Sequence, residues 1–249
     1  MVPARSPANL STMSSPALSP QSPPPSEQQR SPSYPPRGGP GMLASLRHAW
    51  NGLIHTVVHQ RNMRVHLVAA LLVGLVGSGI TLGLAEKVTL IFCVLLIFFA
   101  EILNSALEHL VDLAVQQFDE KARLAKDAAA AGVMVLALGT VVIFAALLVH
   151  NWGTVLTSGP QIARQVKLGL PFTACVTLLV LPQVRPAWVD WLAFLGAGGL
   201  IAFQATETAS SVFSTLTAGL LVVAGAAARE RRREAAHKKT GGAPVAHHS

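Results

Sequence analysis

The chain has 249 residues and a net charge of +7; half of its residues are hydrophobic and only 12% are charged. A soluble domain carries about one quarter charged residues, so the composition excludes that class and implies an integral membrane protein. The basic excess does not indicate nucleic acid, because the arginines and lysines flank apolar stretches and no aromatics interleave with them as on a base-stacking platform. Cys93 and Cys175 both fall inside apolar stretches. They read as small buried hydrophobes, with no disulfide framework or cysteine metal site.

Residues 1–40 are dominated by proline and serine. Such a segment buries too little surface to offset its ordering entropy, and a disordered tail is expected. It lacks the short apolar core that follows a basic start in a secretion signal. From 43 to 58, Leu43, Leu46, Trp50, Leu53, Ile54 and Val57 recur at helical spacing, with Arg47, His48, Asn51, His55 and His59 on other positions. This pattern predicts an amphipathic helix lying in the cytoplasmic interface. His55, His59, Asn62 and His66 fall close to one stripe, and a histidine pair at i and i+4 can bind metal. Headgroup-level histidines explain them sufficiently, since no acid stands beside them to complete a zinc set.

Uncharged apolar stretches follow at 67–85, 88–100, 128–149, 168–184, 191–206 and 208–228. Several approach the ~20 residues that span a bilayer. The fourth is interrupted by Pro171 and Pro182, which leaves tilted or re-entrant segments open for the fourth and fifth. Gly74, Gly77 and Gly79 in the first stretch and Ala128 to Gly132 at the start of the third read as close-packing residues. The segment 112–128 reads as a short cytoplasmic connection bearing both signs of charge. Arg47, Arg61 and Arg64 precede the first span, Lys121, Arg123 and Lys126 follow the second, Arg185 follows the fourth, and Arg229 to Arg233 follow the last. Positive residues favour the cytoplasm, so six crossings with both termini inside are expected, against Arg164 and Lys167 in one outer loop. The basic segment 229–239 reads as an anchor to anionic lipid.

At the end of the second stretch the sequence 101–112 is Glu-Ile-Leu-Asn-Ser-Ala-Leu-Glu-His-Leu-Val-Asp. Glu101, Asn104, Glu108 and Asp112 step by three, four and four, which at about 100° per residue puts them on one stripe of one helix. An ionisable group at that depth costs several kcal/mol and marks a functional site. Carboxylates at a membrane boundary with the nearby pair Lys126 and Asp127 have the parts for moving a phosphoryl group onto a lipid alcohol. Positioning and charge neutralisation dominate that reaction: carboxylates hold Mg²⁺ on the nucleotide, a lysine offsets phosphate charge, and a water-shielded carboxylate takes the hydroxyl proton. Glu101 lies about 10 Å deeper along the helix than Glu108, so Glu101 suits the alcohol and Glu108 the metal. No GxxxxGK[ST] loop occurs. The alternative is a membrane binding or transport protein in which Glu101 and Glu108 relay a cation or proton. The Lys126–Asp127 pair favours the kinase, since a relay has no need of it.

The segment 101–112, followed by Ala-Lys-Asp at 125–127, closely resembles the prokaryotic diacylglycerol kinase and undecaprenol kinase family. The likeness extends upstream through Ser-Leu-Arg-His-Ala-Trp-Asn-Gly-Leu at 45–53 and His-Gln-Arg-Asn-Met-Arg-Val-His at 59–66, covering about residues 43–150. It implies a homotrimeric bacterial plasma-membrane kinase with one interfacial and three membrane helices per chain, sites shared between subunits on the cytoplasmic side, and MgATP as donor. By position, Glu101 resembles the catalytic base, Glu108 a metal and ATP ligand, Asn104 and Trp50 substrate contacts, Lys126 and Asp127 nucleotide contacts, and Asp112 a support. Where the family has a metal-sharing glutamate on its first helix, this chain has Gln60. The amide is a poorer magnesium ligand; its carbonyl can still coordinate, Asp119 or Glu120 can substitute, or the kinase is weakened. The 59–66 stretch leans towards the undecaprenol-using branch.

The expected fold is therefore all-α and integral to the membrane. A disordered tail (1–40) precedes a kinase-like membrane domain (41–150), about three further membrane helices without a catalytic constellation (151–228) and a basic cytoplasmic tail (229–249).

Overall fold

The computed structural model describes residues 41–207 and 211–240. The expectations for 1–40, for 208–210 at the start of the sixth stretch and for 241–249 lie outside the described residues. Eight helices follow in order: α1 (Met42–His59), α2 (Arg61–Gly79), α3 (Leu84–Ala114), α4 (Glu120–His150), the short α5 (Trp152–Thr157), α6 (Gly159–Val180), α7 (Ala187–Glu207) and α8 (Ser211–Thr240). Six of them, all but α1 and α5, are long and apolar enough to cross a membrane. The fold is all-α and membrane-integral, as the composition implied.

The acidic stripe lies on one helix as its spacing predicts, and the bounds differ chiefly at the start of α4, which begins at Glu120 and not near Ala128. The second membrane helix continues through the acidic stripe to Ala114, because Leu103, Leu107, Leu110 and Leu113 keep its other faces apolar. The connection to α4 is accordingly only residues 115–119. Asp119 caps α4 by accepting from the Ala122 amide at 3.0 Å, the usual role of an aspartate at that position. Pro171 does not interrupt α6. The proline ring is exposed, and the helix runs on past the one backbone donor that proline lacks. Pro182 lies beyond the helix end. The basic segment after Ala228 is not a separate tail at first but the helical continuation of α8 to Thr240.

Between α1 and α2 the chain breaks at Gln60, whose backbone is extended (φ −89°, ψ 121°). Arg64 holds the break by donating to the Val58 carbonyl at 2.7 Å and the Val57 carbonyl at 3.4 Å, groups that the end of α1 leaves without helical partners. The break also ends the histidine stripe, so Asn62 and His66 do not continue the line of His55 and His59.

The core forms where α1 and α2 meet α6, α7 and α8, around Val57, Leu67, Leu71, Val176, Leu179 and Ala224. Two of the glycines predicted to pack closely do so against α8. A Cβ on Gly77 would lie 2.5 Å from Phe213 Cζ, and one on Gly74 would lie 3.0 Å from Thr217 Cγ2. Helix α4 packs chiefly along α3. Val133 is its sole buried residue, and Val135, Leu138, Val141 and Val142 are exposed, a surface suited to lipid or to another subunit.

Candidate active site

The stripe foreseen on α3 exists, and its members differ in environment with depth. Glu101 is only 1% exposed and Asn104 only 4%. Both carboxylate oxygens of Glu101, and Oδ1 of Asn104, lack a hydrogen-bond partner. Buried polar atoms are nearly always paired, so three orphans on one helix face need an explanation. One turn nearer the helix end, Glu108 is partly exposed and held between two amides. Asn104 Nδ2 donates to its Oε1 at 3.0 Å, and Gln60 Nε2 donates to its Oε2 at 3.3 Å. Gln60 Nε2 also lies 3.2 Å from Ser105 Oγ. Gln60, which the family resemblance puts at a metal-sharing position, thus reaches Glu108, but as a donor.

At the outer end of the stripe Asp112 pairs with Lys126 of α4, which joins the acidic helix to the basic start of the next. Asp127 is turned along α4 to Arg123, at 2.7 Å. Arg123 also pairs with Glu120 at 2.5 Å. Asp119 and Glu120, considered as substitutes for the missing glutamate, are therefore engaged with the first turn of α4 itself. Trp50 stands on α1 and lines an apolar groove that also includes Phe98 of α3.

Three participants were not foreseen. Ser105 shares Gln60 with Glu108. His109 and Glu234 belong to a cluster in which His55 and His59 rings lie 4.3 Å apart, His55 and His109 rings 5.8 Å apart, and His59 contacts Glu234 at 3.1 Å. Partial burial holds His55 below its ordinary value, aided by the neighbouring His59 and His109 and opposed by Glu234. Ser105 could have been found from its place beside Asn104, but Glu234 reaches α1 across 175 residues and no local pattern announces that.

Residues 47–148 match the prokaryotic diacylglycerol kinase family. The chain is 36% identical over 110 residues to a diacylglycerol kinase of Synechocystis sp., covering 44% of this chain and 63% of that one. It is 36% identical over 94 residues to the undecaprenol kinase of Bacillus subtilis (38% and 76% covered). It is 30% identical over 112 residues to the diacylglycerol kinase of Escherichia coli K12 (45% and 92% covered). The chain thus spans just under two thirds of the Synechocystis protein's length. No solved structure matches it. The match begins in α1 and stops at the end of α4, so the orphaned carboxylate, the amide-held Glu108 and the Asp112–Lys126 pair all lie inside it. The chain belongs to the prokaryotic diacylglycerol kinase family, and α5 to α8 lie beyond the matched residues.

Proposed function

We propose that the protein is an ATP-dependent kinase that phosphorylates a long-chain lipid alcohol at the cytoplasmic face of a bacterial plasma membrane. The observation that carries this reading is the Glu101 carboxylate, buried, unpaired and lacking any hydrogen-bond partner. A lipid hydroxyl donating to it would satisfy the oxygen and place the proton where a base can remove it. As that proton passes to Glu101, the alcohol oxygen attacks the terminal phosphorus of ATP, the bond to the bridging oxygen breaks, and ADP leaves.

Phosphoryl transfer in this family's setting calls for Mg²⁺, which accepts one or two carboxylates and completes its shell with water and nucleotide phosphates. Among the described residues no group of three or more His, Cys, Asp or Glu side chains could hold a metal alone. The donor set nevertheless fits an ion shared with nucleotide. Glu108 offers a carboxylate, Asn104 a buried carbonyl oxygen without a partner, and Gln60 a second amide. The ion would neutralise phosphate charge. Lys126, held by Asp112, would do the same from α4, and Asp127 would complete the nucleotide contacts.

Six helices of spanning length and the contact of His59 with Glu234 near the start of α2 support the start of α2 and the end of α8 lying on one side, and the basic residues at both ends support a cytoplasmic side for the site and both termini. The exposed face of α4 supports a homo-oligomer, a trimer by family. Of the two lipid alcohols phosphorylated by the named relatives, the 59–66 stretch supports undecaprenol.

The test is ATP-dependent phosphorylation of undecaprenol and of diacylglycerol in mixed micelles. Transfer to undecaprenol that disappears in Glu101→Gln is expected. Transfer to diacylglycerol alone would overturn the choice of lipid, and transfer to neither by folded protein with Mg²⁺ and Mn²⁺ would overturn the kinase.

A further inference from the structure

Helix α8 lies outside the family match, yet it closes a groove of about 820 Å³ against α1, α2 and α3. Trp50, Leu67 and Phe98 line it from the kinase side, and Leu216, Gly219 and Val223 from α8. The volume is within the range of pockets that enclose a small ligand. Its wall on α3 is Ile91, Leu95 and Phe98, all on the membrane-interior side of Glu101. Phe98 is three residues, about 4.5 Å, deeper than Glu101. Hydrocarbon attached to a hydroxyl at Glu101 extends towards the membrane interior, the side on which Phe98, Leu95 and Ile91 line the groove.

Two observations make α8 a fixed wall and not merely a neighbouring span. It is locked to α2 by Phe213 against Gly77 and Thr217 against Gly74, and to the end of α6 by buried Arg231, which donates to the Leu179 and Val180 carbonyls. At the groove itself α8 instead leaves space. A Cβ on Gly219 would meet no atom within 4 Å, in contrast to the tight glycines of α2.

We propose that α8 is the specificity wall of the lipid alcohol's chain site, with Gly219 providing the room that admits a bulky, branched chain. The proposal rests on the lipid-kinase reading above and extends it to a segment outside the residues that match the family. Gly219 is a specificity position, not a catalytic residue.

The test compares full-length wild type, Gly219→Ala, Gly219→Leu and, as a control on an open glycine of α7 away from the groove, Gly196→Leu. KM and kcat are measured for a branched polyprenyl alcohol and for a diacylglycerol with unbranched chains. Gly219→Leu is expected to raise KM for the branched lipid about ten-fold, with kcat within about two-fold, and Gly219→Ala to raise KM less, while Gly196→Leu follows wild type. An unchanged KM ratio in folded Gly219→Leu would mean that the groove holds bulk bilayer lipid, and would overturn the proposal while leaving the kinase intact. If wild type transfers no phosphate, the kinase reading fails separately. The groove is then judged by ATP-free binding of the same two lipids, measured by native mass spectrometry in a Glu101→Gln background. Weaker binding of the branched lipid by Gly219→Leu sustains the wall, and equal binding overturns it. Should Gly219→Leu not fold, Leu216→Ala enlarges the groove and is expected to shift preference further towards the branched chain; no shift overturns the proposal.

Discussion

Helices α1 to α4 and helices α6 to α8 both bury polar groups within a membrane fold, and they treat them in opposite ways. In the second region nearly every such group is paired. Gln165 accepts from Gln204 and from Ser78, Arg231 donates to two carbonyls at the end of α6, and Arg232 meets Asp190. In the first region the most buried polar group, Glu101, has no hydrogen-bond partner among the described residues, and Asn104 has an oxygen to spare. Thr173 of α6 is the exception on the far side, but a lone hydroxyl costs far less to leave unpaired than a carboxylate. On the proposed function, the contrast separates polar residues that hold helices together from those that would meet a ligand.

The sharpest way to break that distinction is Glu101→Gln. If the orphaned carboxylate is a base, phosphorylation falls about 10²- to 10⁴-fold. The thermal midpoint should not fall, because no protein contact is lost and the amide brings no charge into the interior. A variant that keeps its activity, or one that unfolds, would make Glu101 structural after all.

The matching experiment in the second region is Arg231→Met. The methionine fills the space but leaves the Leu179 and Val180 carbonyls without donors. A loss of about 1–3 kcal/mol in stability is expected, the cost of stranding buried acceptors, and thermal unfolding in detergent reads it. Little change would mean that water reaches those carbonyls, and that pairing in α6 to α8 is less binding than the hydrogen bonds suggest.

Gln60→Glu probes the border between the two classes. Gln60 is paired like a structural residue, yet it lies where the family has a metal-sharing acid. A glutamate there would face Glu108 directly and repel it without a cation. The expected outcome is a lower thermal midpoint in a chelator, a larger stabilisation by Mg²⁺ than wild type shows, and about ten-fold less Mg²⁺ needed for half activity. Equal Mg²⁺ responses would remove both residues from the proposed metal set.

The stripe Glu101, Asn104, Glu108 and Asp112 was legible in the sequence because helix periodicity alone places it, and so were the six membrane helices. The start of α4 was not, since the charged residues before Ala128 read as a connection, whereas Asp119 caps the helix and Glu120, Arg123 and Asp127 pair along its first turns. Pro171 is expected to interrupt the fourth span, yet α6 runs through it with the ring exposed, because a helix can lose one backbone donor without ending. Within the site, the amide contacts of Gln60 and the arrival of Glu234 at His59 depend on packing between distant helices, and only coordinates supply that.

The smallest expected effect lies where the two regions meet outside the membrane. There α8 reaches α1 through Glu234 and His59, beside His55 and His109 and a cavity of about 390 Å³ bordered by Arg229, Glu230 and Arg233. Partial burial and two neighbouring histidines favour neutral His55 in the fold. The unfolded chain, with an ordinary histidine value near 6.5, therefore binds the extra proton more readily. By linkage, this position contributes stability that is intact above about pH 6.5 and is lost as pH falls through that value. His55→Gln cannot take up the proton, so its thermal midpoint should decline less than wild type between about pH 7 and 5.5. Because the ring is largely exposed, solvent screens the effect and the difference should be small. A steeper decline in His55→Gln would mean that Glu234 outweighs the histidines, and that acid pH tightens the junction between α1 and α8.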